Sequence, residues 1–212
     1  MSSHIWQSMS CKGEGKMAKD TRGKIIQSAL SSFATRGYEG TTLSQISDLV
    51  GIQKPSLYNH FSGKAELFLT VAEKVLNEML DVMEDSWETH KDEEIGRRLY
   101  LVLAESTSFI IQEHEGLIYR RLLLFPPLDL KVDLQALVQN GDQTIDQLLK
   151  KVYEQAESEG EVRDLRFSVF RASFYCLMDG LFTESIIYGG EEFRERFEGS
   201  WDVFWRGISA GQ

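Results

Sequence analysis

The sequence predicts an all-α protein in two parts, a small N-terminal helix-turn-helix unit followed by a larger helical unit. Apolar residues recur at three- and four-residue spacing through most of the 212 positions, the period of a helix with one buried face. Only three prolines occur, so long helices run without interruption. Nowhere does the apolar and polar alternation of a strand persist, and no internal repeat appears.

Residues 1–18 are polar, rich in Ser and Gly, and read as a flexible extension, with Met17 a plausible start of its own. The first helix is expected from about Asp20 to Arg36, on Ile25, Ile26, Ala29, Leu30, Phe33 and Ala34, and stops at Gly37. Thr42 caps the second, with Gln45 three residues on closing a capping box and Leu43, Ile46 and Val50 as its buried stripe. Gly51 suits the left-handed turn that ends it, and Pro55 suits the first turn of a short third helix. Ser62 is placed to cap a long helix from Lys64, whose stripe is Phe68, Val71, Val75, Met79 and Val82. Further helices are expected at Glu93 to Glu113, Leu117 to Leu124, Leu134 to Ser158, Leu165 to Tyr188 and Glu191 to Ile208, with a sharp break at Phe125-Pro126-Pro127. The resulting organisation is 1–18 extension, 19–66 helix-turn-helix domain and 67–212 helical domain.

The chain is 42% apolar with a formal net charge of −10. That charge is uneven: residues 1–70 hold eight Lys or Arg against five Asp or Glu, residues 71–212 fifteen against twenty-eight. An acidic total therefore does not exclude nucleic acid, because the helix-turn-helix part is mildly basic. The acidic remainder reads either as solvated surface or as a pocket selecting cations. No apolar run is long enough for a membrane span and no secretory segment is visible, so a cytoplasmic protein without membrane contact is expected. Cys11 and Cys176 lie in unrelated contexts and point to a reduced compartment. His4, His60, His90 and His114 are scattered, and no phosphate loop, nucleophile elbow or cysteine cluster occurs. Catalytic residues, cofactors and metals are expected to be none, and the chain is not expected to be an enzyme.

On a helical wheel of about 100° per residue, Leu57 and Phe61 share one side while Pro55, Ser56 and Asn59 point away, flanked by Tyr58 and His60. Short polar side chains at the centre suit base edges, and larger donors at the sides suit phosphates. Periodicity alone leaves an ordinary surface helix equally open. The stretch from about Thr21 to Phe68, with GYEGTTLSQISDLVGIQKPSLYNHFSGKAELF at Gly37 to Phe68, resembles the DNA-binding domain of TetR-family transcriptional regulators. The agreement lies in the Thr-Thr pair, the Gly51-Ile52 turn, Leu57-Tyr58-x-His60-Phe61 and Lys64-x-x-Leu67. The resemblance implies DNA binding through Thr42, Gln53, Lys54, Pro55, Ser56, Tyr58, Asn59, His60 and Lys64. Pro55, Ser56 and Asn59 would read bases, and Tyr58, His60 and Lys64 would hold phosphates. Two departures stand out: Gln53 replaces the family's frequent Ser or Thr cap, and Pro55 limits base contact to apolar atoms.

Beyond Phe68 the resemblance weakens, but it implies a homodimer on palindromic double-stranded operator DNA and release of a repressor by a small-molecule effector. Its regulatory pocket would draw on Tyr100, Glu105, Phe109, Tyr119, Phe125, Phe174, Met178 and Phe182, which suits an apolar or aromatic effector. Taken singly, each of the apolar and aromatic members reads more readily as core than as a ligand contact on sequence grounds. Glu105 and Asp179 would pair with a cationic effector, or else reach solvent or Arg171. The dimer interface would be built from the last two helices through Phe170, Phe174, Leu181, Phe193, Phe197, Trp201 and Phe204. The alternative is a structural or co-regulatory DNA-binding protein of the same fold, answering to a protein partner or to no ligand.

Overall fold

A computed structural model describes residues 21–111 and 114–210; the expected extension at 1–18 and the Glu113 end of the fifth expected helix lie outside the described residues. The architecture is all-α: α1 Thr21–Arg36, α2 Leu43–Val50, α3 Lys54–Tyr58, α4 Lys64–Thr89, α5 Ile95–Ile111, α6 Glu115–Leu124, a 3₁₀ turn Leu128–Leu130, α7 Lys131–Ser158, α8 Phe167–Ile187 and α9 Gly190–Ile208. Two compact units meet in sequence between Ala72 and Glu73, inside α4.

In the first unit α1 packs on α2, and α2 on α3. Ile25, Leu30, Phe33, Ile46, Leu57, Phe61, Leu67 and Phe68 form the core, each at most 1% exposed. Phe33 meets Phe68 edge-on at 5.0 Å, and Tyr38 meets Phe68 at the same distance. Local rules set the ends of α2: Thr42 Oγ1 accepts from Gln45 N at 3.3 Å while Thr42 N donates to Gln45 Oε1 at 2.9 Å. Gly51 takes the left-handed φ of 76° that closes it. The buried stripe of α2 differs by one position from expectation. Val50 is only half-buried and Ser47 is buried in its place, its hydroxyl satisfied by Ser44 O at 2.8 Å. Ser62 does not cap α4 as an acceptor; its hydroxyl and backbone N–H both donate to Glu66, each at 2.6 Å. A carboxylate in the first turn fits the positive end of the helix dipole, so the roles are reversed but the terminus is still held.

The second unit is built around α5, which packs on α6, α7 and α8. It is buried nearly all round, with Leu99, Val102, Leu103, Ala104 and Ile110 at 0% exposure. In this unit α4 presents Met83 and Trp87 rather than Val82, which is half-buried. Arg98 is 5% exposed, lies 3.5 Å over the Trp87 ring and donates to Trp87 O at 2.7 Å and to Gln155 Oε1 at 3.4 Å, which partly compensates its burial. Gly96 has a close-packing role: a Cβ there would lie 2.4 Å from the Trp205 ring, which stacks on Trp201 at 5.8 Å. Pro126 and Pro127 follow α6 as expected, and Leu130 N bonds Pro127 O at 3.0 Å, so helical structure resumes before the expected Leu134. Among the described residues the one departure from helices and turns is a β-bridge between Val162 and Ser209, where Arg163 N reaches Ile208 O at 2.9 Å.

Candidate functional site

The α2–α3 surface is displayed by what lies under it. Leu57 is 0% and Phe61 1% exposed, and Phe61 N bonds Leu57 O at 3.1 Å, so both stay on the inner side although α3 itself ends at Tyr58. Lys54, Pro55 and Asn59 are consequently exposed, Ser56 and His60 half-buried, and Tyr58 49% exposed. Gln53 precedes α3 with extended backbone, and its side chain makes no capping bond, as its departure from Ser or Thr implies. Thr42 caps α2 at the other end of the motif.

Lys64 is placed differently from the expectation that it simply reaches outward to a phosphate. Its ammonium donates to Tyr38 O at 3.0 Å, lies 4.1 Å from the centre of the Tyr38 ring, and is 3.9 Å from Glu39 Oε2. It ties the start of α4 to the α1–α2 turn. Thr41 does similar work unseen by the sequence reading: at 0% exposure its hydroxyl donates to Gly37 O at 2.8 Å and to Ser32 O at 3.1 Å. Glu66 was also missed. The Ser62 hydroxyl and then the Ser62 N–H hold its carboxyl below the usual carboxylate range.

In the second unit the structure gathers only part of the expected effector set. Tyr119 and Phe182 meet edge-on at 5.7 Å and line a half-open cavity of about 240 Å³ between α6 and α8. Asp179 lines it too, as do Arg120, Leu124 and Ile186, the last three unmarked by any sequence signal. Burial pushes the Tyr119 hydroxyl well above its ordinary pKa, helped by the negative charge of Asp179 and Asp142. Burial, then the charge of Asp142, raises Asp179; burial, then Asp146, raises Asp142 against the pull of Arg171.

The other expected effector residues lie elsewhere. Tyr100 donates to Glu198 at 2.6 Å and packs against Phe197 and Trp201 between α5 and α9. Glu105 bonds His90 Nε2 at 2.9 Å. Phe109, Phe174 and Met178 are buried, whereas Phe125 is 78% exposed beside its prolines.

The aromatic stripe of the last two helices faces inward within one chain. Phe170, Phe174, Leu181, Phe193 and Phe197 are each at most 4% exposed, and Phe204 packs on Phe170, Phe174 and the half-buried Trp201. The outward faces mix charged residues with small and apolar ones. On α8 they carry Val169, Cys176, Gly180 and Ile187, and on α9 Gly199, Val203 and Gly207. No helix among the described residues is long and apolar enough to cross a membrane.

Known proteins share the first unit's sequence and the whole chain's fold. The sequence profile described as bacterial regulatory proteins, tetR family, matches residues 25–71. The HTH-type transcriptional activator FasR of Mycolicibacterium smegmatis is 32% identical over 101 residues, which cover 48% of this chain and 44% of FasR. The biofilm operon icaADBC HTH-type negative transcriptional regulator IcaR of Staphylococcus epidermidis is 40% identical over 62 residues, 29% of this chain and 34% of IcaR. The chain thus spans less than half the length of these curated relatives. The transcriptional regulator FadR from Bacillus subtilis, solved in complex with stearoyl-CoA, superposes with a TM-score of 0.70 at 16% identity, covering 88% of this chain and 98% of that one. At that identity it shows the fold alone. The profile match falls on the capped α2, the Gly51 turn and the Leu57-Phe61 packing described above, and through residues 25–71 the chain carries the N-terminal domain of the tetR family of bacterial regulatory proteins.

Proposed function

We propose that the chain is a DNA-binding transcriptional repressor that sits on a palindromic operator as a homodimer and is released by a small apolar or aromatic effector held in its helical unit. The observation that carries this is the exposed run Lys54 to Asn59, set over the buried Leu57 and Phe61 and fixed at both ends of α2. Pro55, Ser56 and Asn59 would meet base edges, and Tyr58 and His60 the flanking phosphates. A protein reading a bacterial operator works in the cytoplasm.

The homodimer is supported by the outward faces of α8 and α9. At about 100° per residue, Val169, Cys176, Gly180 and Ile187 fall on one line of α8. A Cβ at Gly180, Gly199 or Gly207 would meet nothing within 4 Å, so no contact inside the chain calls for glycine there. Each glycine costs its helix about 1 kcal/mol relative to alanine, and close approach of a second backbone is what it offers in return. The residues that would cross are therefore these, and not Phe170, Phe174, Phe193 or Phe197. A two-fold dimer places two recognition helices about 34–36 Å apart, the spacing of successive major grooves.

Selection of bound fragments from random double-stranded DNA, followed by fluorescence anisotropy, tests the reading. An inverted-repeat sequence should emerge and bind far more tightly than scrambled DNA. Equal binding to both would end the proposal.

A further inference from the structure

The cavity between α6 and α8 has a polar wall that includes Tyr119 and Asp179. Tyr119 is 5% exposed and lines it, yet its hydroxyl has no hydrogen-bond partner among the described residues. Lining the cavity without an internal partner, that oxygen is placed to accept from a protonated amine there. Asp179 lies close enough to act electrostatically on that hydroxyl, is open to solvent, and forms no ion pair among the described residues. Behind it stand Asp142 and Asp146, and the one guanidinium that answers them, Arg171, is taken by Asp146 at 2.8 Å. Arg120 also lines the cavity, but its Nε donates to Gly116 O at 3.1 Å and its charge is not among those acting on Asp179.

The opposite surface is apolar. Leu124 borders this cavity and also a neighbouring one of about 440 Å³ lined by Leu122, Leu134 and Val138, so hydrocarbon surface continues from one to the other. An anionic head group would meet the charge of Asp179, with Asp142 behind it only partly offset by Arg171. An inorganic cation has no cage to enter, because no group of three or more His, Cys, Asp or Glu suited to a metal occurs among the described residues.

We propose that this cavity takes a lipophilic organic cation, an amine or quaternary ammonium, with its charge between Asp179 and the Tyr119 ring and its tail running along Leu124. Tyr119 and Phe182, packed edge-to-face at 5.7 Å, give the cavity an aromatic lining that suits a cation, and Asp179 supplies the counter-charge. The inference rests on reading the helical unit as the effector domain and narrows the apolar effector proposed above to one whose apolar tail carries a cationic head.

Calorimetric titration of the full chain with octyltrimethylammonium, octanoate and 1-octanol tests it, since the three share a tail and differ in head-group charge. The cation should bind at least tenfold more tightly than octanoate. Asp179→Asn should remove that preference while leaving octanol affinity within twofold, and Asp142→Asn should reduce it in part. Glu195→Gln, on the exposed side of α9, should preserve it. Octanoate binding as tightly as the cation, a preference that survives in Asp179→Asn protein of native circular dichroism, or no binding of any probe would each overturn the proposal. Operator affinity measured in parallel separates the two readings. Asp179-dependent cation binding without DNA release would sink the effector role and keep this site, whereas octanoate that binds preferentially and releases DNA would do the reverse.

Discussion

The surface from Lys54 to Asn59 depends on side chains that never face outward. Lys64 spends its ammonium on Tyr38 O and the Tyr38 ring, at 3.0 and 4.1 Å, so its first contribution is to hold the α1–α2 turn against α4. Lys64→Ala is accordingly expected to lower the stability of the chain by about 1–3 kcal/mol, the range for losing a charged hydrogen bond. A phosphate contact would instead reduce the slope of log affinity against log salt by about 1, and for Lys64→Ala the change should be less than half of that. Tyr58→Phe, which removes an exposed hydroxyl, should weaken all sequences alike, and Asn59→Ala should change which base is preferred. If Asn59→Ala binds the operator and its single-base variants in the parental order, α3 is oriented differently from this account. Gly40 is a second support: a Cβ there would sit 2.4 Å from Arg36 O, so Gly40→Ala should open the turn and lower the melting temperature. What was legible at this scale was local. Thr42 with Gln45, Gly51, and Leu57 with Phe61 obey rules written within four residues. Lys64 escaped because its partner lies 26 residues away in the chain, where no local rule reaches.

At the scale of elements, the helices were legible and their faces less so. α4 and α9 have one apolar side and one charged side, so periodicity orients them. α8 does not, since Phe170, Phe174 and Met178 point inward while Val169, Cys176, Gly180 and Ile187 point outward, and both faces read as apolar. Periodicity therefore leaves the aromatic stripe open between the chain's own core and a partner chain, and in the fold Phe170, Phe174, Phe193 and Phe197 are buried within the chain. Val203 is 73% exposed in α9, and Val203→Glu should leave the monomer folded while shifting sedimentation from dimer to monomer at micromolar concentration. An unshifted profile would remove this face from the interface. The acidic wall of α7 and α8 makes a prediction of opposite character. Burial, then neighbouring charge, raises Asp179 and Asp142 in the folded chain above their unfolded values. The folded state then binds more protons than the unfolded state, so stability falls as pH rises from the ordinary carboxylate range near 4 through the folded pKa. Asp179→Asn removes one such charge and should raise the melting temperature at pH 7, with the gain shrinking as pH is lowered toward 4. A gain that is constant with pH would mean the carboxylate charge is not its cause.

For the whole molecule, one number misleads where two do not. The net charge of −10 is the sum of −13 on residues 71–212 and +3 on residues 1–70, so the acidic excess would disfavour contact of the helical unit with DNA while the first unit stays mildly basic. The all-α class and the motif were visible in the sequence, because both follow from spacing. The proposed effector cavity was not, because Tyr119, Asp179 and Phe182 come together from two helices about sixty residues apart in the chain, a juxtaposition that only folding creates. Coupling between that cavity and the DNA-reading face carries a thermodynamic signature that a direct blocker of the DNA surface lacks. If an effector acts from its own site, saturating effector raises the operator Kd to a finite plateau, and saturating operator raises the effector Kd by the same factor. Typical coupling of about 1–3 kcal/mol corresponds to roughly 5–150-fold in each direction. A molecule that merely competes for α3 gives no plateau, because operator Kd then climbs in proportion to its concentration. Octyltrimethylammonium titrated against operator-bound and free protein should show the plateau and the matched factors. An unbounded rise would place its action on the DNA surface, and with it the cavity between α6 and α8 would lose its regulatory role.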